Sequence, residues 1–285
     1  MALNLTQRFL KGLLINGCYL ACGWRVGQVR GRILTYHRVD DVKGDRLVVS
    51  PDQFRRQMEF LRRRQIRVVD LDTLLASVTH PSKRDNQVAI TFDDGYEDNF
   101  RHVHPILKGY KYPWTVFVSV GLIGTDAQIP AERPGAAPAM LMTWEQVKGL
   151  ADDGVTIGSH GMTHTRLTRL SLAEVKAEAT DSKRILEEQL GMAADWFCYP
   201  AGAVSSDVVQ IVQRAGYQGA CSVRPGVNTP TTHRFALRRT EVSGADTLLT
   251  FQKKMAGAYD TWHALVQQYQ HWSRRRAKQA ERPHV

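Results

Sequence analysis

The chain has 285 residues, of which 43% are hydrophobic and 23% charged; this is ordinary for a globular protein and long enough for one large α/β domain or two small ones. The formal net charge is +10, but residues 1–34 carry five basic side chains and no acidic one, and residues 272–285 carry five against one. Because the centre is nearly neutral, we exclude a nucleic-acid partner and interpret the basic ends as facing an anionic membrane surface or as solvated tails. The four cysteines form no C-x-x-C pair and no zinc spacing, which indicates free thiols.

The N-terminal segment, residues 1–30, contains the apolar stretch "FLKGLLINGCYLACGW". Its uncharged run from Gly12 to Trp24 has 13 residues, whereas about 20 are needed to span a bilayer. We therefore predict an amphipathic helix that lies on a membrane, with a helix packed against the protein's own body as the alternative. "INGC" and "YLAC" only faintly resemble lipoprotein cleavage boxes, and no clean signal-peptide cleavage site follows.

Strand-like and helix-like segments alternate over residues 31–245, which predicts parallel strands joined by crossover helices. Seven such units indicate an α/β fold, a distorted (β/α)7-type barrel with N- and C-terminal helical extensions, whose chemistry lies where the strands end. The predicted strands are "RILTYHRV", "IRVVDL", "VAITF", "WTVFVSV", "VTIGSH", "DWFCYP" and "GACSV". Capping signals stand at three helix starts, namely Ser50 with Gln53, Thr143, and Ser171 with Glu174.

Two segments outside this pattern bear on function. Residues Gly124 to Met140 are rich in Pro, Ala and Gly, and we expect them to overhang the strand ends, either as a substrate-covering loop or as an inert insertion. The third predicted segment, residues 246–285, has apolar residues at helical spacing from Leu248 to Trp272 and then "RRRAK". Trp and Tyr above a basic cluster suit a membrane interface, although the apolar stripe could equally pack on the barrel.

Two adjacent carboxylates, Asp93 and Asp94, follow the apolar strand "VAITF". Unpaired buried carboxylates are costly and adjacent ones repel each other, so a nearby feature must favour the pair. Two units later, "VTIGSHGMTH" ends another strand on His160 and His164, which can meet one metal ion if the turn is tight. One carboxylate and two imidazoles leave a position open for water, which is typical of a hydrolytic metal site, and the second carboxylate is then placed to accept a proton.

The motifs "TFDDG" (Thr91–Gly95) and "SHGMTH" (Ser159–His164) resemble the first two signature motifs of the polysaccharide deacetylases, carbohydrate esterase family 4. The resemblance covers about residues 31–245 and favours one branch of the family, with an early "YH" motif and a "YPxG" third motif. The further matching segments are "LTYHRV", "FCYPAG", "AGYQGA" and "RRTEV".

Carried over residue by residue, this resemblance implies that Asp94, His160 and His164 bind a divalent metal ion. Zinc is the first choice, and cobalt, nickel or manganese are alternatives because the ligand set discriminates poorly among them. Asp93 is implied to be the general base. The backbone N–H of Tyr96 is implied to help hold the oxyanion.

The sequence departs from the commoner family pattern at two places. "FCYPAG" has no arginine, whereas many members use one there to orient the base, and Arg239 is the predicted replacement. "LRRTEV" lacks the late histidine that supplies the general acid in many members. The branch resembles a rearranged version in which an early histidine takes that place, so we assign the acid to His37, with a structural histidine at the barrel mouth as the alternative.

The resemblance therefore implies a metal-dependent hydrolase that removes N-acetyl groups from the amino sugars of a glycan or a lipid-linked saccharide in cell-surface polysaccharide biosynthesis. The alternatives are a deformylase or O-deacetylase, and a non-catalytic glycan-binding or membrane-docking protein of the same fold. The intact Asp-Asp and His-x-x-x-His patterns favour catalysis. The predicted location is the cytoplasmic side of the inner membrane, as a peripheral protein, with an exported or lipoprotein form as the alternative.

Overall fold

The computed structural model describes residues 5–22, 31–79, 86–125, 129, 139–260, 262–264 and 266. Among them the strands are, in chain order, β1 (Arg32–Tyr36), β2 (Arg38–Val39), β3 (Val48–Val49), β4 (Arg67–Val68), β5 (Gln87–Phe92), β6 (Thr115–Val118), β7 (Thr156–Ser159), β8 (Trp196–Cys198), β9 (Gly219–Pro225) and β10 (Leu237–Glu241). The α-helices are α1 (Leu5–Cys22), α2 (Pro51–Arg63), α3 (Leu71–Thr79), α4 (His104–Tyr110), α5 (Trp144–Asp152), α6 (Leu172–Leu190), α7 (Ser206–Arg214) and α8 (Leu248–Met255).

Seven parallel strands close into a barrel, which confirms the predicted fold class. β1 pairs with β10 on one edge and with β5 on the other, and the strands between them follow in the order β10, β9, β8, β7, β6 and β5. Strands of such a barrel are covered on both faces, and all six residues of β5 are accordingly buried. β2 and β3 form a separate two-stranded parallel sheet.

The seven strands differ in one member from those predicted. The segment "IRVVDL" contributes β4, which pairs only with the first two residues of β5, Gln87 and Val88. β1 holds the opposite edge of β5, and β6 takes the β4 edge from Thr91 onward, so β4 has no place in the ring. The ring is closed instead by β10, whose sequence "LRRTE" is too polar to be recognised as a buried strand.

Side chains alternate between two packed clusters along the barrel strands. Ile33, Ala89 and Leu237 belong to the interior cluster, whereas Leu34 and Ile90 pack in the larger cluster under the helices. Successive strand side chains point to opposite faces, so residues two apart share a face. This period directs position 93 into the barrel after positions 89 and 91, and position 239 after position 237.

Helix starts follow the predicted caps with one correction. Thr143 and Ser171 each form a capping box with the residue three positions later. Ser50 caps α2, where its hydroxyl accepts a hydrogen bond from the Gln53 backbone N–H at 3.2 Å. The capping box predicted for Gln53 is wrong, because its side-chain amide donates to the backbone carbonyl of Asp246 instead.

Helix α1 and the segment from α8 to Asp260 pack on the barrel and on each other. Phe251 and Met255 of α8 are buried, so here the apolar stripe packs on the protein, in line with the alternative interpretation. The Arg32 guanidinium donates to Asp260 at 2.6 Å and ties the segment after α8 to the start of β1. Most of the predicted overhanging loop and the basic C-terminal tail lie outside the described residues. No helix in the described ranges is long and apolar enough to cross a bilayer.

Candidate metal centre

The predicted site residues gather at the carboxyl ends of the barrel strands. His37 follows β1, Asp93 and Asp94 follow β5, and His160 follows β7. Parallel strands place these ends at one rim of the barrel. The side chains therefore approach one another, although residues 37 and 160 lie 123 positions apart in the chain.

The turn after β5 separates the two carboxylates. Asp94 has φ of +78°, an uncommon conformation for a residue with a Cβ, and Gly95 follows at +81°. A Cβ at Gly95 would stand 2.9 Å from the Val118 side chain, so only glycine allows this close passage over β6. The turn leaves Asp93 directed into the barrel and turns Asp94 toward the histidines. Such backbone strain is typical of functional sites.

Asp94, His160 and His164 form a group whose ligand atoms all lie within 4.8 Å of one another. The Nε2 atoms of His160 and His164 lie 3.4 and 3.1 Å from Asp94 Oδ1. Asp94 Oδ1 is buried and has no hydrogen-bond partner in the described structure. Burial alone would raise the pKa of Asp94, but the two imidazoles, together with His37, hold it well below its usual value.

The orientation of His160 is fixed by the backbone of β8. Its Nδ1 lies 2.7 Å from the carbonyl oxygen of Cys198. A carbonyl only accepts hydrogen bonds, so Nδ1 carries a proton and Nε2 is the ring atom directed at Asp94, where a neutral ring would offer its lone pair to a metal ion. This arrangement is common for histidines that bind metal ions.

His164 is positioned by a tight loop that α6 holds from outside. The Glu178 carboxylate accepts hydrogen bonds from the backbone N–H groups of Met162 at 2.6 Å and Thr163 at 3.2 Å. Gly161 has φ of +77°, and a Cβ there would stand 2.8 Å from Glu178 Oε2. His164 itself has φ of +59°. The loop therefore reaches a strained conformation because a buried carboxylate gathers its N–H groups.

These residues fit a divalent metal ion. A buried carboxylate oxygen without a donor, faced by two imidazole nitrogens, is a ligand set that a cation completes. A second group of Asp93, His160 and Cys198 is equally compact. Burial raises the pKa of the Cys198 thiol well above its usual value, and Asp93 already has a cationic partner, so this second group fits a metal ion less well.

Asp93 is paired with Arg239 inside the barrel. Two guanidinium N–H groups donate to its two carboxylate oxygens, each at 2.7 Å, and Arg239 is 1% exposed. Arg239 also donates to the Ser222 carbonyl at 3.0 Å and lies 3.1 Å from the Cys198 sulfur. Burial alone would raise the pKa of Asp93, but the guanidinium, with smaller contributions from His160 and His37, holds the pKa below its usual value. The pair is bidentate, which fixes the carboxylate plane as well as its charge.

The comparison with protein families agrees with this geometry. The sequence profile of the family described as "Polysaccharide deacetylase" matches residues 80–220, which include both carboxylates and both histidines. YxkH of Bacillus subtilis is 28% identical over 212 residues, 74% of this chain and 71% of its own. Over these residues the chain is similar to the polysaccharide deacetylases. This similarity confirms the predicted enzyme class, a carbohydrate N-deacetylase.

Further similar proteins and solved structures align with most of this chain. The poly-beta-1,6-N-acetyl-D-glucosamine N-deacetylase of Staphylococcus aureus is 22% identical over 204 residues, 68% of each chain. The structure of the Streptococcus pyogenes deacetylase PplD in complex with acetate superimposes with a TM-score of 0.68 at 24% identity, covering 80% of this chain and 98% of that one. This likeness supports the barrel fold.

His37 lies near the two carboxylates. Its charge is among the causes that lower the pKa of both Asp93 and Asp94, after burial and their closer partners. Its Nδ1 is buried and makes no hydrogen bond within the described residues. Its backbone carbonyl accepts a hydrogen bond from the Asn99 side chain at 3.0 Å. At Nδ1 the imidazole therefore makes no hydrogen bond of the kind that would hold a structural histidine in place.

The Tyr96 amide lies beside the turn that carries Asp94. Tyr96 and Leu141 form an antiparallel bridge, whose hydrogen bonds run from Glu97 N to Met140 O and from Met142 N to Gly95 O. The Tyr96 N–H is therefore not used by the bridge. The predicted overhanging loop ends at Met140, and the chain returns to the site at this point.

Several residues around the site are not predicted from the sequence. Glu178 shapes the His164 loop, and Cys198 touches both Arg239 and Asp93, with its sulfur 3.7 Å from Asp93 Oδ1. Asp98 holds the backbone after His37, accepting from the Val39 N–H at 3.1 Å. The predicted helix "YEDNFRHVHPILKGY" is interrupted here by a π turn, Asn99–Val103, before α4. The only signals for these residues are a cysteine inside "FCYPAG" and an Asp-Asn pair soon after "DDG".

Proposed function

We propose that this protein is a metal-dependent hydrolase that removes N-acetyl groups from the amino sugars of a glycan or a lipid-linked saccharide during cell-surface polysaccharide biosynthesis. The observation that carries the proposal is the buried Asp94 Oδ1 without a donor, faced by the Nε2 atoms of His160 and His164. The similarity to the poly-beta-1,6-N-acetyl-D-glucosamine N-deacetylase of S. aureus supports the substrate class.

In this proposal Asp94, His160 and His164 hold the metal ion, for which we propose Zn²⁺, with Co²⁺, Ni²⁺ or Mn²⁺ as alternatives. When bound, the ion supplies Lewis acidity toward water and toward a carbonyl oxygen. Asp93 accepts the proton of the attacking water, because Arg239 keeps it ionised and fixes the direction of its oxygens. The base is thereby ready at neutral pH without binding the ion.

The remaining groups act on the acetyl group and on the leaving amine. The backbone N–H of Tyr96, not used by the Leu141 bridge, donates to the oxygen that becomes negatively charged. His37 donates a proton to the nitrogen of the sugar as the bond to the acetyl carbon breaks. Its buried Nδ1 without a partner supports this assignment over a structural role.

The test is acetate release from an oligomer of β-1,6-linked N-acetylglucosamine by the purified chain after chelation and after return of each metal ion. We expect no release without metal and restored release with it. His37→Ala should lower kcat by about 10²–10⁴-fold, whereas His102→Ala, a half-exposed histidine away from the carboxylate pair, should not. Full activity in the chelated protein, or binding of the oligomer without any turnover, would refute the proposal. Release of formate or of ester-linked acetate instead would favour the deformylase or the O-deacetylase.

We also propose that the enzyme works as a peripheral protein on the cytoplasmic side of the inner membrane. The uneven positive charge and the apolar α1 support this location. Fractionation of cells after salt and carbonate washes tests it, because a peripheral protein is released by the washes whereas a lipoprotein stays with the membrane.

A further inference from the structure

Helix α1 is apolar on two opposite faces. On its inner face Ile15 is buried, and the Tyr19 hydroxyl donates to Gln252 of α8 at 3.4 Å. On its outer face Leu13 is 55% and Leu20 is 84% exposed. These leucines are seven positions apart, two helical turns, and so lie on one side of the helix. Packing on α8 therefore buries only one of the two apolar faces of α1.

Helix α8, which contacts α1, also carries exposed leucines. The Lys11 ammonium lies 5.8 Å from the centre of the Tyr259 ring, and the Lys253 ammonium donates to Asn16 at 2.7 Å. α1 therefore runs antiparallel to the C-terminal segment, which brings its Leu20 end toward the start of α8. Leu248 and Leu249, 37% and 50% exposed, stand there. We call Leu13, Leu20, Leu248 and Leu249 the leucine face.

A basic groove adjoins the leucine face. It has a volume of about 600 Å³ between α2 and α8, and it reaches Gln252, the residue that Tyr19 of α1 contacts. Its lining arginines, which we call the arginine groove, are Arg55, Arg56, Arg63 and Arg64.

The groove keeps a net positive charge. Two of its arginines are balanced, since Asp52 pairs with Arg56 and Glu59 with Arg63. Arg55 and Arg64 make no ion pair with any residue that the structure describes. The groove therefore offers guanidinium groups to an external anion directly beside an apolar surface.

We propose that the leucine face and the arginine groove together form a docking surface for an anionic phospholipid bilayer. Apolar side chains that enter the acyl boundary, flanked by cations that meet headgroup phosphates, are the combination that holds a helix in the plane of a membrane. The proposal rests on the proposed peripheral location and assigns the surface that serves it. It is independent of the proposed hydrolysis, because no catalytic residue belongs to this surface and an inactive protein docks equally well.

The primary test is co-sedimentation of the full chain with vesicles of phosphatidylcholine, with and without phosphatidylglycerol, at low and at high salt. We expect the chain to sediment with phosphatidylglycerol vesicles at low salt and to be released by high salt. A chain that stays in the supernatant, or that binds both kinds of vesicle equally, overturns the proposal. Asp93→Asn, which removes the proposed base, should sediment like the wild type.

Paired variants locate the surface. Arg55→Gln with Arg64→Gln should weaken partition by roughly 25-fold, because each cation near an anionic surface contributes about 1 kcal/mol. Lys176→Gln with Arg214→Gln, exposed cations on α6 and α7, removes the same charge elsewhere and should have little effect. Equal losses in the two double variants would show that only net charge matters, which contradicts the assigned surface.

The leucine face has its own matched pair. Leu13→Gln with Leu20→Gln should weaken partition by roughly 30-fold or more, since each exposed leucine loses its burial in lipid. The control is Leu172→Gln with Met192→Gln, two exposed apolar residues at the ends of α6. Thermal unfolding midpoints of all variants should stay near the wild type, since the changed side chains are exposed. A dimer of the wild type in lipid-free solution that the Leu13 and Leu20 changes dissolve would assign the face to a second copy and overturn the lipid assignment.

Discussion

Asp93 and Asp94 are neighbours in the chain, yet they lie in opposite halves of the site. Asp93 points into the barrel, where both of its oxygens are held by one guanidinium group. Asp94 points to the loop that carries the histidines, where its Oδ1 has no hydrogen-bond partner among the residues that the structure describes. The protein pairs the Asp93 carboxylate with its own cation, Arg239, and leaves Asp94 Oδ1 available to an external cation. The same residue type thus serves two purposes because alternation along a strand and one strained turn give it two environments.

Neutralising each carboxylate separately tests most directly whether the two have different roles. Asp93→Asn should lower kcat/KM by about 10²–10⁴-fold while the Kd for metal stays near that of the wild type, because it removes the base and no ligand. Asp94→Asn should abolish tight metal binding, since it removes the only carboxylate of the ligand set. Calorimetric titration with Zn²⁺ and acetate release measure the two effects. Comparable loss of metal affinity in both variants would show that the halves are not separate.

Removing the cation from the Asp93 half should be costly for stability. Arg239→Met leaves a buried carboxylate without a partner and should lower the free energy of unfolding by about 3–5 kcal/mol. Adding Asp93→Asn to Arg239→Met should restore part of that loss, because no charge then remains buried. Urea unfolding at neutral pH measures both. An unchanged midpoint for Arg239→Met would mean that the pair contributes nothing to the fold.

The same pair gives a dependence on pH. The guanidinium holds the folded-state pKa of Asp93 below its usual value, so the pair contributes stability above the unfolded carboxyl range that is lost as pH falls through the folded pKa. The difference in stability between wild type and Arg239→Met should therefore shrink in acid. If Arg239→Met retains activity, the acid limb of its kcat/KM profile should move to higher pH, because the cause that lowers the pKa has gone. A limb at the wild-type position would contradict Asp93 as the titrating base.

A smaller effect on metal affinity is expected from Glu178, which supports the half of the site that contains Asp94. Glu178→Gln weakens the hold on the backbone of the His164 loop and should lower metal affinity by about tenfold, the lower end for outer-shell partners of metal ligands. Glu188→Gln, at an exposed position on the same helix that pairs with Arg184, is the control and should leave the affinity unchanged. If the two variants bind metal equally well, the loop keeps its shape without Glu178.

The smallest expected effect lies at the boundary between the halves. Cys198 contacts Arg239 and Asp93 through its sulfur, but it fixes His160 through its backbone carbonyl. Cys198→Ala should therefore lower kcat/KM roughly 2- to 10-fold, the value of one hydrogen bond, and leave metal affinity unchanged. Cys198→Ser, which keeps a small donor at that place, should retain more activity. Loss of metal from Cys198→Ala would show that the side chain, not the carbonyl, orients His160.

The barrel and the gathering of residues at its rim could be predicted because both follow from local patterns. Alternating segments give the fold, and strand ends give the positions of His37, Asp94 and His160. β10 could not be recognised, since two arginines interrupt its apolar pattern, and one of them serves the site rather than the core.

Glu178 could not be predicted for a different reason. It lies on a helix 14 positions after His164, and nothing nearby in the sequence indicates that it turns back to that loop. The π turn after Tyr96 likewise depends on contacts with the distant His37 strand end. Contacts between distant helices, strands and loops do not change the hydrophobic periodicity of the segments that they join, so the sequence pattern does not indicate them.

The contact between α1 and α8 joins two segments that the ribosome makes at very different times. The pair Asn16 and Lys253 is separated by 237 positions in the chain. At about 5–20 residues per second of synthesis, on the order of tens of seconds pass between the emergence of α1 and that of its intramolecular partner. During this interval both apolar faces of α1 lack a partner within the growing chain. A nascent chain that meets a lipid surface first would thus be tethered before its barrel can close, since β10 is also made late.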